Sequence, residues 1–286
     1  PQLDMQAFDM GAKDVFSRIR AERQRPAADI WWGAPSTMFM QAAQEGLLEP
    51  YQPTWHDAVP EAFHDPEDRW YALYRSPIAI LYNTNQYTAE EVPQTWDDLL
   101  AGAWRGRIAL RRPLESGTMR TFLCAMIARA PDVEAGLAWL RRLHAATASY
   151  PASPSLLFDH LKKNPQRISV WLLPDIVMQR DLNGFPFGFH VPPEAPVLTD
   201  CIAMVRGGGS MALAETFYEF VTSREMLIFQ AERFGKLPAR TDIAPASLPQ
   251  WMTQQQVDAM EIDWAAFSEA CPAWLERWER EVYDAS

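Results

Sequence analysis

The run Ser116-Gly117-Thr118, with Arg120 just beyond it, is the part of this sequence best suited to chemistry, and the chemistry is anion capture. It stands where a loop hands over to the apolar residues of Met119–Met126, so it is expected to open a helix. A helix start leaves its first backbone N–H groups without partners and carries a partial positive charge, which makes it a ready place for a phosphate or carboxylate. Ser116 or Thr118 can cap that end while offering a hydroxyl, and Arg120 falls in the first turn. Ser and Thr are also ordinary caps, and that plainer role is the alternative for this run taken alone. A second start of the same kind, Ala34-Pro35-Ser36-Thr37, follows the aromatic pair Trp31-Trp32, which is expected at the surface. Ser36 and Thr37 would add hydroxyls there and Trp32 a flat apolar wall, against the plainer reading of Trp32 as core.

These loops need a frame, and the hydrophobic periodicity supplies one. Leu3–Phe8 alternates as a strand; after Gly11 a helix carries Val15, Phe16 and Ile19 on one face; Ala28–Trp32 reads as a short strand and Ser36–Gln44 as a helix with Gly46 at its end. Strand, helix, strand, helix is the opening of an α/β layer with parallel pairing. Further on, Tyr74–Tyr82, Arg107–Leu110, Ile168–Leu173 and Val197–Val205 read as strands, Thr95 as a cap, and the segment after Pro131 as a helix carrying Leu137, Leu140 and Leu143. Ser210 is expected to cap a helix, and the tail from Trp251 is helical with Trp274, Leu275 and Trp278 on one face. Gly33–Thr37, Arg111–Thr118 and Leu172–Asp175 are all places where a strand hands over to a helix. In open parallel sheets ligands bind outside such strand ends, so the three loops are expected to converge on one pocket. Asp175 would serve there, or simply cap its helix.

Composition narrows the function. The chain has 286 residues, 48% of them hydrophobic, enough for one large or two ordinary domains. A formal charge of −11 argues against nucleic acid or an acidic membrane as partner. No apolar run reaches the ~20 residues of a membrane span. Three widely spaced cysteines (Cys124, Cys201, Cys271) allow at most one disulfide; Cys124, in an apolar helix, is expected to be a small buried hydrophobe. There is no P-loop lysine motif, no G-x-S-x-G, no H-E-x-x-H and no Cys-x-x-Cys, and the five histidines show no short ligand spacing. Neither catalysis nor a metal or cofactor is expected from these residues.

Several runs occur in an order that carries a resemblance: Ala28–Gly33, Glu45–Leu48, Ile78–Asn83, Pro93–Leu99, Trp104–Ala109, Ser116–Thr118 and Gly235–Arg240. Together they resemble the extracellular solute-binding proteins of ABC importers, in the branch of ferric-iron, phosphonate and sugar-phosphate binders. The resemblance covers nearly the whole chain, least surely the far C-terminal helices. It implies a two-lobed type II periplasmic-binding-protein fold, each lobe a mostly parallel sheet flanked by helices. Lobe one would comprise 1–78 plus 200–286 and lobe two 79–199, with Ile78–Tyr82 and Val197–Val205 as hinge strands. The ligand cleft would be lined by Trp32–Thr37 from lobe one and Ser116, Gly117 and Thr118 from lobe two. Arg75 would add a charge near the hinge, as would Arg112 if turned inward.

Two departures shape the expectation. Family members begin with a strand and a helix that would precede Pro1, so the chain is expected to be a trimmed product lacking them. The iron-binding members use an adjacent tyrosine pair where this chain has Val170–Asp175, and no Tyr-Tyr pair occurs anywhere. Iron is therefore the alternative, and a small anionic, hydroxylated solute, such as a phosphorylated sugar or polyol or a phosphonate, the leading cargo. Asp175 and Glu194 stand where sugar-phosphate binders place acidic residues for hydroxyl groups. A monomeric, periplasmic or extracellular receptor, bare or lipid-anchored, that delivers its solute to a membrane permease is expected. The ligand-sensing module of a signalling receptor is the further alternative.

Overall fold

The computed structural model describes residues 5–8, 10–254 and 257–285. Its contacts divide the chain into two compact units, Pro1–Arg75 with Thr199–Gln255, and Ser76–Leu198 with Gln256–Ser286. Two long strands, Tyr71–Asn83 and Val197–Val205, run from one unit into the other, over the two segments expected to be hinge strands.

In the first unit, Ile30–Pro35 and Leu48–Glu49 pair antiparallel with the Asp200–Val205 part of the second long strand, and Leu237–Pro238 pairs antiparallel with Tyr74 and Arg75. The strand Ile30–Pro35 alternates its side chains across the sheet, which separates the two tryptophans. Trp31 is 2% exposed and lies between Phe16 and Phe39, with ring centroids 5.7 and 4.1 Å away, whereas Trp32 faces out at 40%. The pair is thus one core residue and one surface residue. Between Trp32 and Pro35 the register shifts, at Gly33 with φ +87°, a left-handed conformation that a side chain would strain. The strand turns straight into the helix Ser36–Gln44. The helices Met211–Val221 and Arg224–Phe234 complete this unit.

In the second unit, Ser169–Leu172 and Phe187–His190 pair antiparallel with Ile78–Asn83, while Ile108–Ala109 runs parallel to Thr147–Ser149 and bridges Ile168 in parallel. The helix Gly117–Ala128 is almost wholly buried on this frame: Met119, Phe122 and Leu123–Ile127 all belong to the core. Helices Val133–Ala146 and Trp264–Trp278 pack on it.

The α/β class follows the expectation; several details do not. Most ladders are antiparallel, because strand–helix alternation requires crossovers without deciding which strand becomes whose neighbour. The tail was expected with the first lobe. Instead Phe267, Cys271, Leu275 and Trp278 are buried in the same cluster as Phe122 and Leu140 of the second unit, and Cys271 is disulfide-bonded to Cys124. Cys124 is therefore half of a staple and not a free core thiol; Cys201 is the free, buried cysteine. Met5–Phe8 of the expected first strand carry no pairing, and Leu3 and Asp4 lie outside the described residues. No described helix is long and apolar enough to cross a membrane.

Candidate functional site

The second unit holds the helix start that the sequence singles out. Ser116 is 7% exposed at the cap position with extended backbone, and its Oγ accepts from the Met119 N–H at 3.3 Å. That bond satisfies one of the orphan donors and leaves the others at the mouth. A Cβ added at Gly117 would meet nothing within 4 Å, so the approach to this end is open. Gly117 is exposed and Thr118 half-buried beside it. Arg120 is exposed in the first turn and makes no ion pair among the described residues. The turn Pro113–Glu115 that leads into the cap is held from below by Arg111, whose Nη2 donates to the carbonyls of Glu115 (3.2 Å) and Ala152 (3.0 Å). Arg112 points elsewhere: it donates to Glu279 at 2.8 Å and its guanidinium sits 4.5 Å above the Tyr283 ring, so it ties the turn to the C-terminal segment instead of facing a ligand.

The first unit holds the other start. Ser36, 5% exposed, is the first residue of its helix; Pro35 occupies the cap position, and no side chain caps this end. Thr37 is half-buried next to it. Pro35 is paired with Asp200, and the Asp200 charge reaches Tyr74, whose hydroxyl donates to the Gln230 side-chain carbonyl. Burial, above all, raises the Tyr74 pKa well above its ordinary value. Trp32 stands edge-on to Phe217 at 6.5 Å. Next to Tyr74, Arg75 donates from Nε to the Pro238 carbonyl at 3.3 Å and makes no ion pair among the described residues; burial lowers its pKa. Lys236 lies 5.8 Å over the Tyr74 ring. The corner thus collects an uncapped helix end, an exposed indole, a phenol and two cations.

Two expected ligands are placed differently. Glu194, in a left-handed backbone conformation (φ 53°), accepts from Arg129 Nε at 3.2 Å, and its carbonyl accepts from the Trp96 indole at 3.1 Å. Arg129 follows the far end of the helix that begins at Gly117. A 12-residue helix is about 18 Å long, so Glu194 belongs to the opposite end from Ser116, in an ion cluster with Asp97. Asp175 lies in the first turn of its helix but does not cap it; its Oδ2 accepts from the Trp171 indole at 3.0 Å. Among the described residues there is no group of three or more His, Cys, Asp or Glu able to hold a metal ion.

Sequence reasoning missed Tyr74, Lys236 and Arg111. Lys236 lies inside a run already quoted for the resemblance, and Arg111 inside a loop already singled out. Neither carried a signal of its own, because what marks them is the lack of a carboxylate partner among the described residues.

Comparison with known proteins places the fold in a family. A family model described as bacterial extracellular solute-binding protein matches residues 26–268. A probable ABC transporter periplasmic-binding protein, y4fP of Sinorhizobium fredii, is 23% identical over 98% of this chain and 79% of its own. Among solved structures, the periplasmic binding protein AfuA of Actinobacillus pleuropneumoniae, with fructose-6-phosphate bound, superposes with TM-score 0.76 at 22% identity, covering 96% of this chain and 88% of its own. A ferric binding protein from Campylobacter jejuni superposes with TM-score 0.80 at 18% identity, covering 95% and 89%. Both likenesses concern the fold, and they match the two-unit α/β architecture described above. With most of its length matched by the family model, the chain belongs to the bacterial extracellular solute-binding proteins.

Proposed function

We propose that this protein is the solute receptor of an ABC importer and that its solute is a small hydroxylated anion, a phosphorylated sugar or polyol or a phosphonate. The observation that carries the reading is the Ser116 helix start: open at Gly117, flanked by Arg120, which has no ion pair among the described residues, and backed by Arg111. Its N–H groups and the hydroxyl of Thr118 hold the anionic group; Arg120 adds charge from the first turn. The first unit offers Ser36 and Thr37 at an uncapped helix end, Arg75 and Lys236 as cations, and Trp32 as a flat wall for a sugar or polyol carbon face. Asp175, in the first turn of its helix, accepts from ligand hydroxyls. No role falls to Glu194. A permease partner and a periplasmic or extracellular location accompany the reading, and the Cys124–Cys271 disulfide supports an oxidising compartment. The protein acts as a monomeric carrier with no catalytic step.

The test is a thermal-shift panel of inorganic phosphate, fructose 6-phosphate, 2-aminoethylphosphonate and ferric citrate. A ligand at 100 times its Kd stabilises by about 2.7 kcal/mol, a clear shift. A shift with phosphorylated compounds or phosphonates supports the reading. A shift with ferric citrate alone, or with no member of the panel, overturns it.

A further inference from the structure

Two arginines of the described residues are more than nine-tenths buried, and they are buried in opposite ways. Arg240, 8% exposed, has Asp242 at 2.7 Å, so its charge is compensated within the chain. Arg111, 7% exposed, has no carboxylate partner among the described residues; Nη2 reaches two carbonyl oxygens, and Nε is buried with no partner among them. A buried charge without a counter-ion is costly, and chains rarely keep one unless something else supplies the opposite sign. Arg111 lies directly behind the Ser116 helix start, since one of its two carbonyl partners belongs to Glu115, the residue before the cap. Guanidinium and helix end therefore add their positive fields at the same place.

We infer that Arg111 is a positioning residue of the anion site that also sets its charge preference, so that the receptor takes dianions in preference to monoanions. This rests on the anionic-solute reading above. Arg111 acts without touching the ligand. Its fork holds the Glu115 and Ala152 carbonyls, which fixes the Pro113–Glu115 turn and with it the direction of the Ser116–Thr118 N–H groups. Its uncompensated charge attracts whatever sits at the helix mouth in proportion to that ligand's charge. Arg120 cannot replace it, because an exposed charge is screened by water and salt. A monoanion leaves part of the buried charge unmatched, whereas a phosphate monoester carries about −1.5 to −2 near neutral pH.

The decisive measurement is inorganic phosphate titrated calorimetrically into the full chain on the acid and on the alkaline side of its second ionisation, with thermal melts as a check on folding. Wild-type protein should bind the dianion at least tenfold more tightly. R111M should lose roughly tenfold more affinity for the dianion than for the monoanion, as expected of a charge acting at a distance of several ångströms in a protein interior. R111K keeps the charge and loses the fork, so it should weaken both forms while retaining the dianion preference. If wild-type protein binds neither form of inorganic phosphate, the same titrations are run with whichever phosphate ester or phosphonate of the panel shifts its melting; wild-type protein that binds none of these overturns the anionic-solute reading itself. Wild-type binding without a dianion preference overturns the role of Arg111 alone, as does R111M losing both forms equally. Should R111M fail to fold, R111K decides: loss of the preference with the charge still present overturns the inference.

Discussion

The two helix starts at Ser36 and Ser116 look alike in the sequence and differ in the structure. At Ser116 the hydroxyl caps its own helix, the turn before it is held by Arg111 and Arg112, and the helix itself is bolted to the C-terminal segment by the Cys124–Cys271 disulfide. At Ser36 the cap position is taken by a proline, which brings no acceptor side chain, and the helix end is left bare beside an exposed tryptophan. One start is tied down by its own cap and by the residues behind it. The other spends no side chain on capping itself. The difference shows that a Ser-Thr helix opening says nothing about its use until the cap bond and the residues behind it are known.

The largest effect that tests this contrast comes from the staple. Cys124→Ser with Cys271→Ser removes a cross-link between residues 147 apart in sequence and should cost the second unit about 3 kcal/mol. Hydrogen exchange should speed up across Gly117–Ala128 and Trp264–Trp278 and stay unchanged in Ile30–Gln44. Equal acceleration at both starts would erase the asymmetry.

A smaller effect separates the two serines. Ser116→Ala removes a cap and should destabilise by about 1 kcal/mol as well as weaken anion binding. Ser36→Ala should leave stability within about 0.5 kcal/mol, since no cap bond is lost, while still weakening binding. Chemical denaturation measures the first quantity and calorimetric titration the second. If Ser36→Ala costs as much stability as Ser116→Ala, the two starts are doing the same structural job.

The pattern of what was legible follows the same division. Local signals were: Ser116 caps as expected, and Thr95 and Asp98 exchange bonds at their helix start, Thr95 N–H to Asp98 Oδ2 at 2.8 Å and Asp98 N–H to Thr95 Oγ1 at 3.3 Å. The motif order also placed the chain in its family. What escaped was non-local. Cys271 sits too far along the chain from Cys124 for any spacing rule. Glu194 looked like a ligand until its partner Arg129 put it at the wrong end of a helix. Arg111 could be picked out only from the missing carboxylate around it, a property of the folded surroundings and not of its neighbours in sequence.

The smallest predicted effect concerns acid. In the second unit, burial holds the His144 pKa below its usual 6.5, with the Tyr150 hydroxyl at 2.7 Å from Nδ1. His160 is lowered too, by burial first and then by the Arg167 charge. A histidine whose folded pKa is depressed is protonated first in the unfolded chain, so it contributes stability above pH 6.5 that is lost as the pH falls below that value. In the first unit the corresponding group is Asp242, held at about 2 by its bond to Arg240 against an ordinary 3.8. Its contribution is complete above pH 3.8 and is lost only as the pH falls toward 2. Exchange rates followed from neutral to acid pH should therefore rise around Val133–Ala146, the helix that carries His144, while those of Arg224–Phe234 are still flat. The acidic groups Asp97 and Glu281, also depressed by their arginine partners, should add to the loss in the second unit at lower pH. His144→Gln should flatten the early part of that curve. If Arg224–Phe234 opens first, the order assigned to the two units is wrong.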